Sequence, residues 1–274
     1  MEISKKVKTF SFQQMTDFLL TFSRKRLNSP LTVSGLLQYI EFNENPINNR
    51  PNRLHPFIRE ALDLLYLHNL ELKEILRGNL EHPKSFELGE LFDRYGSDKN
   101  LRHSYAPIYA SILGTFTDPR ILEIGLGSTN GFPYGGLNPG GSIKAWREFS
   151  PNSLIVGVDI DPEAVDSIDE IGFIMDQTSD QSIHEVFTEI KRNIGTFDLI
   201  VDDGFHDPHA NIRTLLKLFP LLDTGGFYLI EDVHGSLIPF YSLLRHSLPG
   251  KMQIFDLRNE REGVDDNVII MFTR

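Results

Sequence analysis

From Pro119 onward the chain alternates short apolar runs with longer segments of helical spacing. The runs fall at 120–124, 154–158, 173–175, 197–201 and 227–230. This alternation predicts a parallel sheet with helices on both faces. Two further runs, 252–257 and 268–273, are separated by only about ten residues, and a parallel crossover needs a dozen or more. The final strand is therefore expected to be antiparallel.

Residues 1–85 carry a different pattern. Helical segments are predicted at 12–22, 33–39 and 56–76, the last after an Asn/Pro-rich stretch at 43–52. In the third segment Phe57, Ala61, Leu64, Leu65, His68 and Leu72 share one face, and an apolar helix face needs a partner. The chain is thus expected to divide into an N-terminal helical region, 1–85, serving as an oligomerisation or lid element, and a main domain, 86–274. The Gly/Pro/Asn-rich stretch 128–141 is the longest expected loop of that domain, and long ordered loops in compact domains are often functional.

Composition narrows the chemistry. The 274 residues include no cysteine, which removes disulfides, thiol nucleophiles and thiolate metal sites. Any metal must be held by oxygen or imidazole. The net charge of -11 is uneven: residues 1–85 hold 12 Lys and Arg against 9 Asp and Glu, and the remainder holds 15 against 29. A phosphate backbone needs clustered cations, and the one basic cluster is Arg24, Lys25 and Arg26. Nucleic acid is not an expected substrate. No apolar run reaches the roughly 18 residues of a membrane span, and no signal-type stretch follows Met1, so a cytoplasmic location away from membranes is expected.

The candidate chemistry sits at the ends of the apolar runs, where open α/β sheets bind ligands. After the first run, Glu123-Ile124-Gly125-Leu126-Gly127 supplies two glycines for a sharp turn and close backbone approach. The dinucleotide fingerprint requires a third glycine at position 130, which is Asn130, so a nicotinamide cofactor is disfavoured. Asp159 ends the second run, where a ribose diol would lie, and Asp176 with Gln177 ends the third, placed to meet an adenine amino group. Asp202-Asp203-Gly204-Phe205-His206 follows the fourth run, and Glu231-Asp232 the fifth. Asp203, Glu231 and Asp232 form an all-oxygen donor set suited to Mg²⁺ or a similar hard cation. His206, three residues beyond Asp203, is the candidate general base.

Together with Gly96-Ser97-Asp98-Lys99, His103-Ser104-Tyr105 and Gly141-Ser142-Ile143-Lys144-Ala145-Trp146, these segments resemble the class I S-adenosylmethionine-dependent methyltransferases. More narrowly, they resemble the metal-dependent sugar O-methyltransferases of macrolide biosynthesis, from about Leu88 to Arg274. Members of that group often carry Ser where this chain has Phe205. The resemblance implies a Rossmann-like methyltransferase fold, with a mostly parallel seven-stranded sheet, an antiparallel last strand and an N-terminal helical appendage. It implies methyl transfer from S-adenosylmethionine to a hydroxyl of a small molecule, a sugar or diol, with a divalent metal, Mg²⁺. Cofactor-binding residues would be Glu123, Gly125, Gly127, Asp159, Asp176, Gln177, Asp202 and Tyr105. Metal ligands would be Asp203, Glu231 and Asp232, and the catalytic base His206. His103, Tyr105 and Tyr109 precede the first strand and are placed to close over cofactor or substrate. Two other readings stay open at this point: a hydroxylase-type oxidative enzyme on the same fold, and a non-catalytic cofactor-binding scaffold.

Overall fold

The computed structural model describes residues 82–127, 138–242, 244, 248–261 and 263–274. The helical segments expected within 1–76, the basic cluster at 24–26 and most of the 128–141 loop lie outside these residues, as does the suggested oligomerisation or lid role. Backbone contacts divide the chain into two compact units, Met1–Glu74 with Pro239–Ser247, and Ile75–Ile238 with Leu248–Arg274. The second unit carries the site.

That unit opens with α1 (Ser85–Tyr95), α2 (Asp98–Leu101) and α3 (Ala106–Leu113). Leu88, Leu91 and Phe92 form the buried stripe of α1, and Gly96 ends it in the left-handed region at φ 72°, its N–H returning to the carbonyls of Asp93 and Phe92. The Ser97 hydroxyl then caps α2 by accepting from Lys99 N, so the side chains of Asp98 and Lys99 leave the first turn of a helix held against the sheet. There follow β1 (Arg120–Ile124), α4 (Gly141–Phe149), β2 (Leu154–Asp159), α5 (Pro162–Asp166), β3 (Ile171–Ile174), α6 (Asp180–Asn193), β4 (Phe197–Asp202), α7 (Pro208–Leu218), β5 (Leu222–Ile230), β6 (Lys251–Asp256) and β7 (Val268–Thr273).

The seven strands lie in the order β3-β2-β1-β4-β5-β7-β6. The first five strands are parallel to one another, and β7 is antiparallel to both β5 and β6, the latter as the short 256–268 connection requires. The strands expected from the apolar runs are present, with two shifts. The third occupies 171–174 rather than 173–175, as an edge strand with Ile171 and Ile174 exposed. β5 starts five residues early because Leu222 pairs with Phe197 across a bulge.

β1, β2 and β4 are almost wholly buried because both faces of the sheet are covered, which is why they read as continuous apolar runs instead of alternating ones. The chain goes from β1 out to β2 and β3, then returns to the other side of β1 to form β4. Such a reversal opens a crevice at the carboxyl ends of the strands. Ladder register aligns those ends: Ile124 lies opposite both Val158 and Asp202, and Asp202 opposite Ile230. Three further bonds carry the alignment past the strands, from Gly125 N to Val158 O at 2.8 Å, Asp203 N to Ile124 O at 2.8 Å and Glu231 N to Asp202 O at 3.0 Å. The acidic residues of three different loops are thus fixed side by side by backbone.

Candidate functional site

A cleft of about 500 Å³ opens at this edge. Its described lining includes six aspartates, Asp98, Asp159, Asp176, Asp203, Asp232 and Asp266, and a single Lys or Arg, Arg102. A dinucleotide pyrophosphate would meet a strongly repulsive wall here, whereas a sulfonium or a divalent cation would be attracted.

Of the residues expected to bind cofactor, Gly125, Gly127, Asp159, Asp176 and Gln177 line the cleft. Asp159 shapes it directly: Oδ2 accepts from Leu126 N at 2.6 Å and Oδ1 from Asp161 N at 2.8 Å, which ties the turn after β1 to that after β2. Gly125 and Gly127 take φ of 92° and 84°. The reason for glycine at 125 differs from the sequence argument. A Cβ there would lie 2.0 Å from the carbonyl oxygen of Asp203, so Gly125 admits the next loop of the protein. Asp176 Oδ1 accepts from both the backbone N–H and the hydroxyl of Thr178.

Asp202, Glu123 and Tyr105, also expected to bind cofactor, lie behind the cleft. The Gln177 amide is already engaged, Nε2 donating to Asp202 Oδ1 at 2.8 Å and Oε1 accepting from Phe205 N at 2.8 Å. Asp202 is fully buried and also accepts from Tyr228, since as the last residue of β4 it faces the core while Asp203 turns outward. Burial pushes its carboxyl upward, against the bonds from Gln177 and Asn211. Glu123 is equally buried and accepts from Trp146 Nε1 at 2.7 Å. Tyr105 does not cover the cleft: it is buried, donating to Asp232 Oδ1 at 2.9 Å. Tyr109 and His103 are buried too, so the three form a floor under the acids, with His103 stacked on Tyr105 at 4.8 Å.

Asp203, His206 and Asp232 converge at the cleft surface. His206 Nε2 lies 3.9 Å from Asp203 Oδ1 and 4.0 Å from Asp232 Oδ2, and each of the three residues offers a ligand atom within 4.8 Å of the others. Three described non-glycine residues have positive φ; His206 at 55° and Asp232 at 53° are two of them. Backbone strain is concentrated at this group. Burial, with Asp232 and Asp98 nearby, raises the Asp203 carboxyl to about 7 despite Lys99. Burial also pushes on Asp232, but the ion pair with His103 and the charges of His206 and Lys99 prevail and hold it at about 2.

Glu231, expected as the third metal ligand, is not in this group. Its carboxylate is turned inward, accepting from Lys99 Nζ at 2.7 Å and from the Tyr109 hydroxyl. Lys99, 1% exposed, is the residue that sequence reasoning missed. Its ammonium also bonds Asp203 at 2.5 Å and lies 3.3 Å from Glu123, gathering acids from the ends of β1, β4 and β5 around one charge. Burial alone would lower its pKa, yet Asp203, Glu231 and Glu123 raise it well above normal, so it stays cationic. The motif Gly96-Ser97-Asp98-Lys99 stands out in the sequence as a block, but nothing in its composition marks a lysine as buried.

The strand order, the antiparallel β7, the glycine turn after β1 and the acid after β2 define a Rossmann-like methyltransferase fold. The resemblance seen in sequence to macrolide sugar O-methyltransferases is borne out. The chain is similar to the mycinamicin VI 2''-O-methyltransferase of Micromonospora griseorubida, 31% identical over 205 residues, covering 72% of this chain and 49% of that protein. It is also similar to the 8-demethyl-8-(2-methoxy-alpha-L-rhamnosyl)-tetracenomycin-C 3'-O-methyltransferase of Streptomyces olivaceus, 33% identical over 161 residues, covering 57% of this chain and 39% of that one. Among solved structures it is similar to the MycE methyltransferase of the mycinamycin pathway in complex with Mg and SAH, with a TM-score of 0.50 and 26% identity, covering 68% of this chain and 53% of that chain. The chain therefore spans about half or less of the length of these curated relatives. No family model matches it.

Proposed function

We propose that the chain transfers a methyl group from S-adenosylmethionine to a hydroxyl of a small molecule, a sugar on a natural product, with a divalent cation, Mg²⁺, beside the reacting oxygen. The observation that carries this reading is the convergence of Asp203, His206 and Asp232 at the floor of an acidic cleft whose other wall is the Gly125–Gly127 turn and Asp159. The relatives agree with it, their names placing methyl transfer at the 2'' and 3' oxygens of glycosylated compounds. They lend no support to the oxidative enzyme or the scaffold.

The donor set fits the cation. Two carboxylates that repel one another strongly enough to help hold Asp203 near pH 7 gain by sharing a divalent charge, and oxygen ligands suit Mg²⁺. Asp203 and Asp232 would hold it. Bound there, it would orient the acceptor hydroxyl and ease its deprotonation. The protein supplies the rest. Asp159 meets the ribose hydroxyls, the Gly125–Gly127 turn lets the cofactor approach the sheet edge, and Asp176 lies toward the base. His206, 40% exposed and aimed at the same space, takes the proton of the attacking hydroxyl. The acceptor, proton and sulfonium methyl must be brought into line, and much of the rate comes from that positioning. Residues 1–85 are proposed to form a helical oligomerisation or lid region preceding the methyltransferase domain, and the protein to act in the cytoplasm. Among the described residues no helix is long and apolar enough to cross a membrane.

The test is methyl transfer from labelled S-adenosylmethionine to glycosylated macrolide or rhamnosyl acceptors with Mg²⁺ present. His206→Ala should lose about 10² to 10⁴-fold in turnover while binding cofactor normally. Unchanged turnover in that variant would refute the base assignment, and transfer to none of the glycosylated acceptors would refute the substrate class.

A further inference from the structure

Beyond that reading, we infer that the cleft holds a second divalent cation, bound by Asp98, His103 and the far oxygen of Asp232. These three residues also bring one ligand atom each within 4.8 Å of the others. His103 Nε2 lies 3.3 Å from Asp232 Oδ1 and 3.9 Å from Asp98 Oδ2. The imidazole is fully buried, yet neither ring nitrogen makes a hydrogen bond. Its desolvation is offset by the charges of Asp232 and Asp98 rather than by an aligned hydrogen bond, which leaves the nitrogen between them open to an ion. Both Asp98 and Asp232 line the cleft, so an ion can reach the site from solvent.

Asp232 adds to the geometry by dividing its oxygens: Oδ1 faces His103 and Oδ2 faces His206, so one carboxylate bridges both groups as in two-metal sites. Two carboxylates with one imidazole suit a first-row divalent cation, and the carboxylates suit Mn²⁺.

The experiment is Mn²⁺ titration of the full chain, followed by calorimetry and by electron paramagnetic resonance, with thermal melts confirming that each variant is folded. The wild type is expected to take two Mn²⁺ per chain with a spectrum broadened by spin coupling. Asp98→Asn and His103→Gln should each take one, with the sharp lines of an isolated ion. A single Mn²⁺ kept by both variants but lost in Asp203→Asn overturns the second site and leaves the first standing. A single Mn²⁺ lost in Asp98→Asn but kept in Asp203→Asn supports this site and removes the metal from the proposed transfer reaction. No Mn²⁺ bound overturns both.

Discussion

Replacing Lys99 by Met tests how the acidic ends of three strands are held together. Methionine keeps most of the side-chain volume and removes the charge, leaving Asp203, Glu231 and Glu123 without the cation that now lies 2.5, 2.7 and 3.3 Å from them. Removing one partner of a buried ion pair costs about 3–5 kcal/mol. Asp203 is 17% exposed and can recruit water, which favours the lower end, about 3 kcal/mol. In a domain of this size that corresponds to a fall of roughly 6–12 °C in the melting midpoint. The sign of the pH dependence follows from the shifts. Lys99, raised above its unfolded value, contributes stability that is complete below the unfolded pKa and lost as pH rises through the folded one. In the variant the deficit should shrink on acidification, because Asp203 and Glu231, already raised, take up protons in place of the missing charge. The assay is denaturant and thermal unfolding in EDTA across neutral to mildly acidic pH, repeated with Mg²⁺, which should restore part of the loss. A variant within about 0.5 kcal/mol of wild type in EDTA, the range of an ordinary surface change, would refute the reasoning.

Other outcomes can be checked as directly. Mg²⁺ must displace the proton that Asp203 carries below about 7, so its affinity should fall about tenfold per pH unit on acidification below neutrality and level off above, as read by calorimetry. Metal-free protein should show the opposite trend from this group, losing stability as pH rises from about 4 to about 7, because the raised carboxyl favours the folded state only while protonated. Gly125→Ala drives a Cβ to within 2.0 Å of the Asp203 carbonyl at a φ of 92° and should cost about 3 kcal/mol or more; Gly225→Ala, at φ 83° in open space, should cost only about 1 kcal/mol. Equal midpoints for these two alanines in thermal melts would sink the close-approach argument. Trp146→Phe removes the 2.7 Å bond to the buried Glu123 and should destabilise by about 1.5–3 kcal/mol in the same assay.

The parts of this architecture that rest on pattern are legible in the sequence. Continuous apolar runs marked the buried strands, and the short 256–268 connection dictated an antiparallel β7. What pattern could not show was which way each acid points. Neighbouring residues at a strand end face opposite sides, so Asp202 enters the core and Asp203 the cleft. Glu231 and Asp232 divide in the same manner, with Glu231 turned to Lys99. Gln177 looked free to meet a base because its partners, Asp202 and Phe205 N, are 25 and 28 residues away in sequence. Tyr105 and His103 read as a cover for the ligand and proved to be a floor under Asp232. Burial of a lysine is a tertiary property, set here by acids that lie 24, 104 and 132 residues downstream.

The acidic cleft is proposed to bind S-adenosylmethionine. Calorimetric titration of S-adenosylmethionine and of S-adenosylhomocysteine into the full chain, with Mg²⁺ and with EDTA, tests it most directly when set beside Asp159→Ala. Saturable one-to-one binding of both compounds is expected, weakened by the loss of the Asp159 carboxylate by about tenfold or more, the scale of a charge-assisted hydrogen bond. Absence of binding by the wild type in either condition would contradict it.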